Sequence, residues 1–277
     1  MSLPPATHDP TADRILRERE FWDAHAADAL RNLPLADYVT GPDDRYDRTI
    51  VWLPYFDMPK YVDHMLAQVG DVQGRRVLDL GTGSGFLACL MAARGAMVDA
   101  VDVSDESIVL CNERARLSGF PERVRTHNMP VEAMSFPDDS FDSVVGIYLL
   151  HHLDLARGVA EIHRVLKPGG VAVFVETWGG NPVLMAARSH FPGRYAIEKA
   201  SSNDERPLDV AACRILEGSA FRKVEYYFPN FVFLRMACYL PWYLRGPLAL
   251  WRGVDTLLGF IPGIRRFSYF AMVILRK

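Results

Sequence analysis

From residue 76 onward, short apolar runs alternate with longer stretches whose apolar positions recur every three to four residues. The runs Arg76–Leu80, Val98–Val103, Val124–His127, Ser143–Tyr148 and Val171–Glu176 predict strands. Between them, Ser84–Arg94, Asp105–Ser118 and Leu155–Leu166 carry the helical period. Ser104 is placed to cap the second of these and Gly119 to end it, while Pro168-Gly169-Gly170 stops the third. A helix over Asp209–Ala220 and strands over Lys223–Phe228 and Ser268–Arg276 complete the series. This alternation predicts an α/β fold, a doubly wound, mostly parallel seven-stranded sheet. Ahead of it, Phe21–Leu33 and Lys60–Val69 predict helices, and the aromatic, proline-rich stretch Tyr38–Pro59 joins them in an N-terminal cap.

The pattern divides the chain into a tail and helical cap (1–59), an α/β core (60–228) and an apolar basic insertion plus the last strand (229–277). With 277 residues and 49% apolar content, there is enough chain to bury one large core with an appendage. Cys89, Cys111, Cys213 and Cys238 lack metal-ligand spacing and read as reduced thiols of a cytoplasmic protein. The stretch Met1–Asp13 has no apolar centre, so it reads as a frayed tail rather than a signal peptide. Charge is uneven: the chain is −3 overall, yet from Pro229 onward seven cations face one acid, Asp255.

The chemistry concentrates where the first strand meets its helix, in Val77-Leu78-Asp79-Leu80-Gly81-Thr82-Gly83-Ser84-Gly85. Glycines at such a turn permit positive φ and let a ligand approach the backbone. Asp102, at the end of the next strand, is placed to accept from both hydroxyls of a ribose. The third glycine comes one residue early for a dinucleotide fingerprint, whose sixth position is here Phe86, and no Lys-Ser/Thr pair follows to make a P-loop. Asp79 suits an ammonium group and would repel a phosphate. The spacing therefore favours S-adenosyl-L-methionine over NAD.

These motifs resemble the class I S-adenosylmethionine-dependent methyltransferases, in the broad Rossmann-like group of ubiquinone-pathway and natural-product enzymes. The resemblance is carried, in order, by Val77–Phe86, Asp102, Ser135–Asp142, Leu149-Leu150-His151-His152-Leu153 and Arg164–Gly170, and it spans about residues 60–180. It implies that Asp79 and the backbone of Gly81, Thr82 and Gly83 hold the methionine end and Asp102 the ribose. Val103 and Ser104 would lie along the adenine, with Met129, Val131 and Glu132 on its other side. Many relatives have an aspartate where this chain has Pro130, so that contact is expected to be either lost or taken over by Asn128 or a backbone carbonyl.

Methyl transfer to a hydroxyl or acidic carbon needs a base, and imidazole suits neutral pH. His152 and His151, just beyond the fourth strand, are the candidates, with Glu176 as a base or an orienting partner. A His/Glu pair invites a metal, but no third ligand can be placed, so no metal is expected. Tyr55, Tyr148, Trp178 and Trp52 are candidate walls of an acceptor cavity, and Ser189–Pro207, with His190 and Arg194, a candidate cover.

The insertion Pro229–Phe267, between strands six and seven, has no apolar run of about 18 residues and so does not span a membrane. Three roles stay open for it: lying on a membrane surface, roofing a cavity for an isoprenoid-like acceptor, or packing on the sheet or on a second subunit in a homodimer. The expected function is methyl transfer to oxygen or carbon of a small apolar acceptor, with no nucleic acid involved. The alternatives are a peptide or protein methyltransferase and a non-catalytic cofactor-binding scaffold.

Overall fold

The computed structural model describes residues 10–32, 34–50, 57–190, 206–231 and 247–277. Seven strands form one sheet: β1 (Arg76–Leu80), β2 (Met97–Asp102), β3 (Val124–Asn128), β4 (Phe141–Ile147), β5 (Leu166–Thr177), β6 (Lys223–Tyr227) and β7 (Phe270–Arg276). Their order is β3-β2-β1-β4-β5-β7-β6. The first five are parallel, and β7 runs antiparallel between β5 and β6. The chain reverses its direction of winding between β1 and β4, which opens a crevice at their carboxyl ends.

Period-two alternation splits the strand side chains between two cores. Val77, Val145, Val173 and Ile274 join α2 (Met58–Val69) and α3 (Phe86–Ala93) on one face of the sheet. Leu78, Val144, Phe174 and Leu275 join α5 (Leu155–Val165) and α7 (Val210–Glu217) on the other. That two-sided burial explains the near-continuous apolar runs of the sequence.

Local chemistry sets the helix starts. The Ser104 hydroxyl accepts the Ser107 amide at the head of α4 (Asp105–Leu117), and Asp154 and Asp209 cap α5 and α7 in the same way. Gly85, at φ +78°, precedes α3, and a Cβ there would sit 2.8 Å from the Cys111 Cα, so this glycine lets α3 lie against α4.

Two expectations need correction. Residues 10–13 are not frayed: α1 spans Pro10–Asn32, eleven residues longer at its start than the apolar pattern indicates, because its first turns are held by polar contacts (below). β5 begins at Leu166 rather than Val171. Leu166 pairs with Phe141 and Val171 with Ser143, so Lys167-Pro168-Gly169-Gly170 forms an irregularity within the strand rather than a turn before it. The stretch Gly179–Pro182 leads into a helix, α6 (Pro182–His190). Of the candidate cover, 191–205, with Arg194, lies outside the described residues, as do Trp52, Tyr55, Cys238 and positions 232–246 of the insertion.

Candidate active site

A cavity of about 400 Å³ opens at the carboxyl ends of β1, β2 and β4. Its floor is the glycine turn. Gly81, Gly83 and Gly85 have φ of +65°, +48° and +78°. A Cβ on Gly81 would strike the Leu149 side chain at 2.9 Å.

Asp79 is 1% exposed. Its Oδ2 accepts the Thr82 hydroxyl at 2.7 Å, while its Oδ1 is buried without a partner. Burial pushes its carboxyl up to about 7; the Thr82 hydroxyl and the Ala88 amide act against that, and the charge of Asp102 adds to it. An unpaired, buried carboxylate oxygen facing a cavity is what a cationic amino-acid end would satisfy. Asp102, at the end of β2, accepts the Gly83 amide on one oxygen and the Ser104 amide on the other, each at 2.9 Å. Burial raises its carboxyl too, against the Ser104, Gly83 and Val103 amides. Asp102 thus ties the glycine turn to the end of β2, and its remaining lone pairs reach the cavity it lines.

Val103, Met129, Val131, Glu132, Tyr148 and His152 also line this cavity, with Thr82. Tyr148 has a left-handed backbone, φ +57°, unusual for an aromatic residue, and its hydroxyl lies 3.5 Å from the Met58 sulfur. Asn128 donates to the Val103 carbonyl and to Asp105, which holds the loop ends of β2 and β3 together beside Pro130.

Three of the candidates sit elsewhere. Glu176 is fully buried below the wall. Its Oε1 accepts the amides of Leu149 and Leu150, and its Oε2 lies 2.6 Å from His151 Nδ1. His151 is buried with it, whereas His152, next in the same 3-10 turn (Leu150–His152), faces the cavity. Trp178 packs against Tyr226 and Phe228 and donates to the Arg266 carbonyl, away from the cavity wall.

The roof is the feature that sequence reading missed. Arg14, Ile15, Glu18, Trp22, His25, Ala26 and Ala29 of α1 line the cavity at helical spacing. Arg14 donates to the His152 carbonyl and to Glu132, and Arg19 to the Val103 carbonyl and Asn128. Asp23 accepts the Ser104 hydroxyl and the Glu106 amide. The i, i+4, i+8 spacing of Arg14, Glu18 and Trp22 was the available signal, hidden in what looks like a solvated charged run. Asp47 was missed as well. It receives the buried Arg114 guanidinium at 2.8 Å, the Thr49 hydroxyl and the Ser84 hydroxyl, clamping the glycine turn from the cap side. No described residue of 247–277 lines the cavity.

A mostly parallel sheet with a glycine turn, a carboxylate at the end of β2 and a roofed cleft is the arrangement of an α/β protein suited to a nucleoside-bearing cofactor. Residues 78–174 match a family model described as a methyltransferase domain. The chain is 34% identical over 151 residues to a ubiquinone/menaquinone biosynthesis C-methyltransferase (UbiE) of Geotalea uraniireducens, covering 53% of this chain and 64% of that one. It is 32% identical over 179 residues to a demethylmenaquinone methyltransferase of Chlorobaculum parvum, covering 56% and 70%. Among solved structures, the cyclase SpnF superposes with a TM-score of 0.58 at 18% identity, covering 94% of each chain. A geranyl diphosphate C-methyltransferase of Streptomyces coelicolor superposes with 0.53 at 17%, covering 99% and 98%.

The chain belongs to the class I S-adenosylmethionine-dependent methyltransferases, and its cofactor is S-adenosyl-L-methionine. It spans 42% to 64% of the length of three UbiE relatives that it matches.

Proposed function

We propose that this protein transfers the methyl group of S-adenosyl-L-methionine to an oxygen or carbon of a small, apolar, prenyl-quinol-like acceptor. The observation that carries this reading is a single cavity in which the glycine turn and Asp79 sit at one side, His152 at another, and apolar groups (Ile15, Trp22, Ala26, Met58, Val62) between them. Bound there, the cofactor supplies an electrophilic methyl on a sulfonium. Asp79 holds the ammonium end and Asp102 the ribose, while the glycine turn takes the backbone side. His152 removes the acceptor proton, and α1 keeps water from the reacting atoms. Glu176 and His151 set the turn that presents His152.

A roofed cavity fits a small molecule better than a peptide. The relatives named for quinone biosynthesis support an aromatic, prenylated acceptor. The SpnF likeness shows only a shared fold, and that fold hosts a cyclase too, so the reaction itself has to be tested. The test is methylation of short-chain demethylmenaquinol and prenylated catechol, followed by mass spectrometry. Methylated product is expected from the wild type, with kcat lowered about 100-fold in His152→Ala and S-adenosylhomocysteine affinity kept. Equal turnover in His152→Ala would remove the base from this reading.

We also propose peripheral membrane contact through α8 (Leu248–Leu258) and the turn after it. Leu250, Leu257, Phe260 and Ile261 are half to three-quarters exposed, next to exposed Arg265 and Arg266. The one acid of this region, Asp255, is buried. An apolar face rimmed by cations suits an anionic bilayer surface. Arg252 reaches Asp57 at the head of α2, whose Met58 and Val62 line the cavity, so the proposed contact face adjoins an apolar cavity wall.

A further inference from the structure

The two adjacent histidines repeat one arrangement with different owners. His151 Nδ1 faces Glu176, a sheet residue that the Leu149 and Leu150 amides hold in place. His152 Nδ1 lies 3.1 Å from Oε2 of Glu18, which belongs to the roof helix α1. The same Glu18 oxygen accepts the Trp22 indole N–H at 3.1 Å, and the Trp22 ring meets the His152 ring edge to face. One turn earlier, Arg14 bonds the His152 carbonyl and Glu132, and Glu132 in turn accepts the Asp154 amide. Helix α1 therefore grips the turn at its backbone and at its imidazole. The charged and titratable groups around His152 are Glu18 and Arg14 from α1, Glu132 from the segment after β3, and His151 with Glu176 behind it.

His152 Nδ1 is buried and has no well-aligned hydrogen bond, although a carboxylate oxygen stands at contact distance. The short contact places the two groups to pair, and catalytic hydrogen bonds often tighten when substrate arrives.

We infer that Glu18 is the positioning residue of a dyad split between the roof and the floor: it keeps the His152 proton on Nδ1 and leaves Nε2 free to act as the base. Nε2 bonds to no described residue, and the imidazole lines the cavity. The dyad rests on the reading of His152 as base. For a hydroxyl acceptor, the O–H proton passes to Nε2 and the oxygen lone pair forms the new bond to the methyl carbon. The electron pair of the breaking S–C bond stays on sulfur, and the imidazolium charge rests against Glu18. The base is then complete only when α1 is docked.

The test uses the full chain labelled with ¹⁵N-histidine and saturated with S-adenosylhomocysteine, at pH about 8.5, where an ordinary imidazole is neutral. Long-range ¹H–¹⁵N spectra read the tautomer. In the wild type, His152 should be protonated on Nδ1. In Glu18→Leu it should shift toward the Nε2–H form, with His151 unchanged as the internal control. With short-chain demethylmenaquinol, kcat should fall at least about 10-fold, while acceptor KM and S-adenosylhomocysteine Kd stay within about twofold. Adding Glu18→Leu to His152→Ala should cost nothing more. If Glu18→Leu does not fold, Glu18→Met, which keeps the side-chain length and offers no oxygen to accept from Nδ1, gives the same readouts. An unchanged tautomer, or losses that add in the double variant, would overturn the dyad. A tautomer switch alongside full turnover in His152→Ala would instead overturn His152 as base and leave the Glu18 pairing standing, which separates the two failures.

Discussion

If Asp79 holds the cationic end of the cofactor as proposed, cofactor binding is coupled to pH. With its carboxyl pushed up to about 7 by burial, a large share of the free protein carries it protonated at neutral pH. A cationic ligand end favours the carboxylate, so binding expels a proton and affinity rises with pH. S-adenosylhomocysteine Kd should fall up to about tenfold per pH unit below 7 and level off above it. Calorimetry in buffers of different ionisation heat should show the proton release, and Asp79→Asn should give a flat, weaker profile. The sign is opposite for the free protein. A raised folded-state pKa means that this residue's contribution to stability is lost as pH rises through about 7, which Asp79→Asn should remove. The places of Asp79 and Asp102 at the cavity were legible in the sequence, because a carboxylate before a glycine turn and another ending the next strand have few structural alternatives. Glu18 and Asp47 were not. Each is an ordinary acid in a polar stretch, and its meaning depends on a partner, His152 or Arg114, far away in the chain.

At the scale of elements, what was read well was what local chemistry decides. Strand β1 and the start of α4 fall where apolar runs and caps put them. The misplaced boundaries are those set by tertiary contact. The amino-terminal turns of α1 carry little apolar pattern, and polar contacts with the ends of β2 and β4 hold them instead. The segment 35–50 is another such case. Arg114 is 1% exposed and is balanced by Asp47, with Thr40 and the Tyr38 ring against it. Removing one partner of a buried pair strands the other charge. Asp47→Ala should therefore cost roughly 3 kcal/mol or more, seen as a fall in Tm of about 6–12 °C. Because the Ser84 hydroxyl loses its acceptor too, S-adenosylhomocysteine should bind more weakly in the folded fraction.

For the whole molecule, the two ends of the chain have different relations to the sheet. Of the three roles left open for the insertion, roofing the cavity has no support among the described residues, since the described roof is the amino-terminal helix and α8 does not line the cavity. Sequence could not decide this, because both segments are amphipathic and topology alone says which one crosses the crevice. If α8 meets a bilayer, the protein should co-sediment with vesicles containing phosphatidylglycerol and remain in solution with phosphatidylcholine alone. Binding should weaken as salt rises. Leu257→Asp with Phe260→Asp should abolish it without changing turnover of a soluble acceptor. Binding that survives these changes would assign the exposed face to something other than lipid.

The roof has a kinetic consequence. Polar links from Arg14, Arg19 and Asp23 tie α1 to the ends of β2 and β4 and to the head of α4, and the glycine turn lies beneath it. If cofactor and acceptor share this chamber as proposed, exchange of either requires these links to loosen. The helix proposed to shield the reacting atoms would then also gate the departure of spent cofactor, so variants that loosen α1 should speed product release.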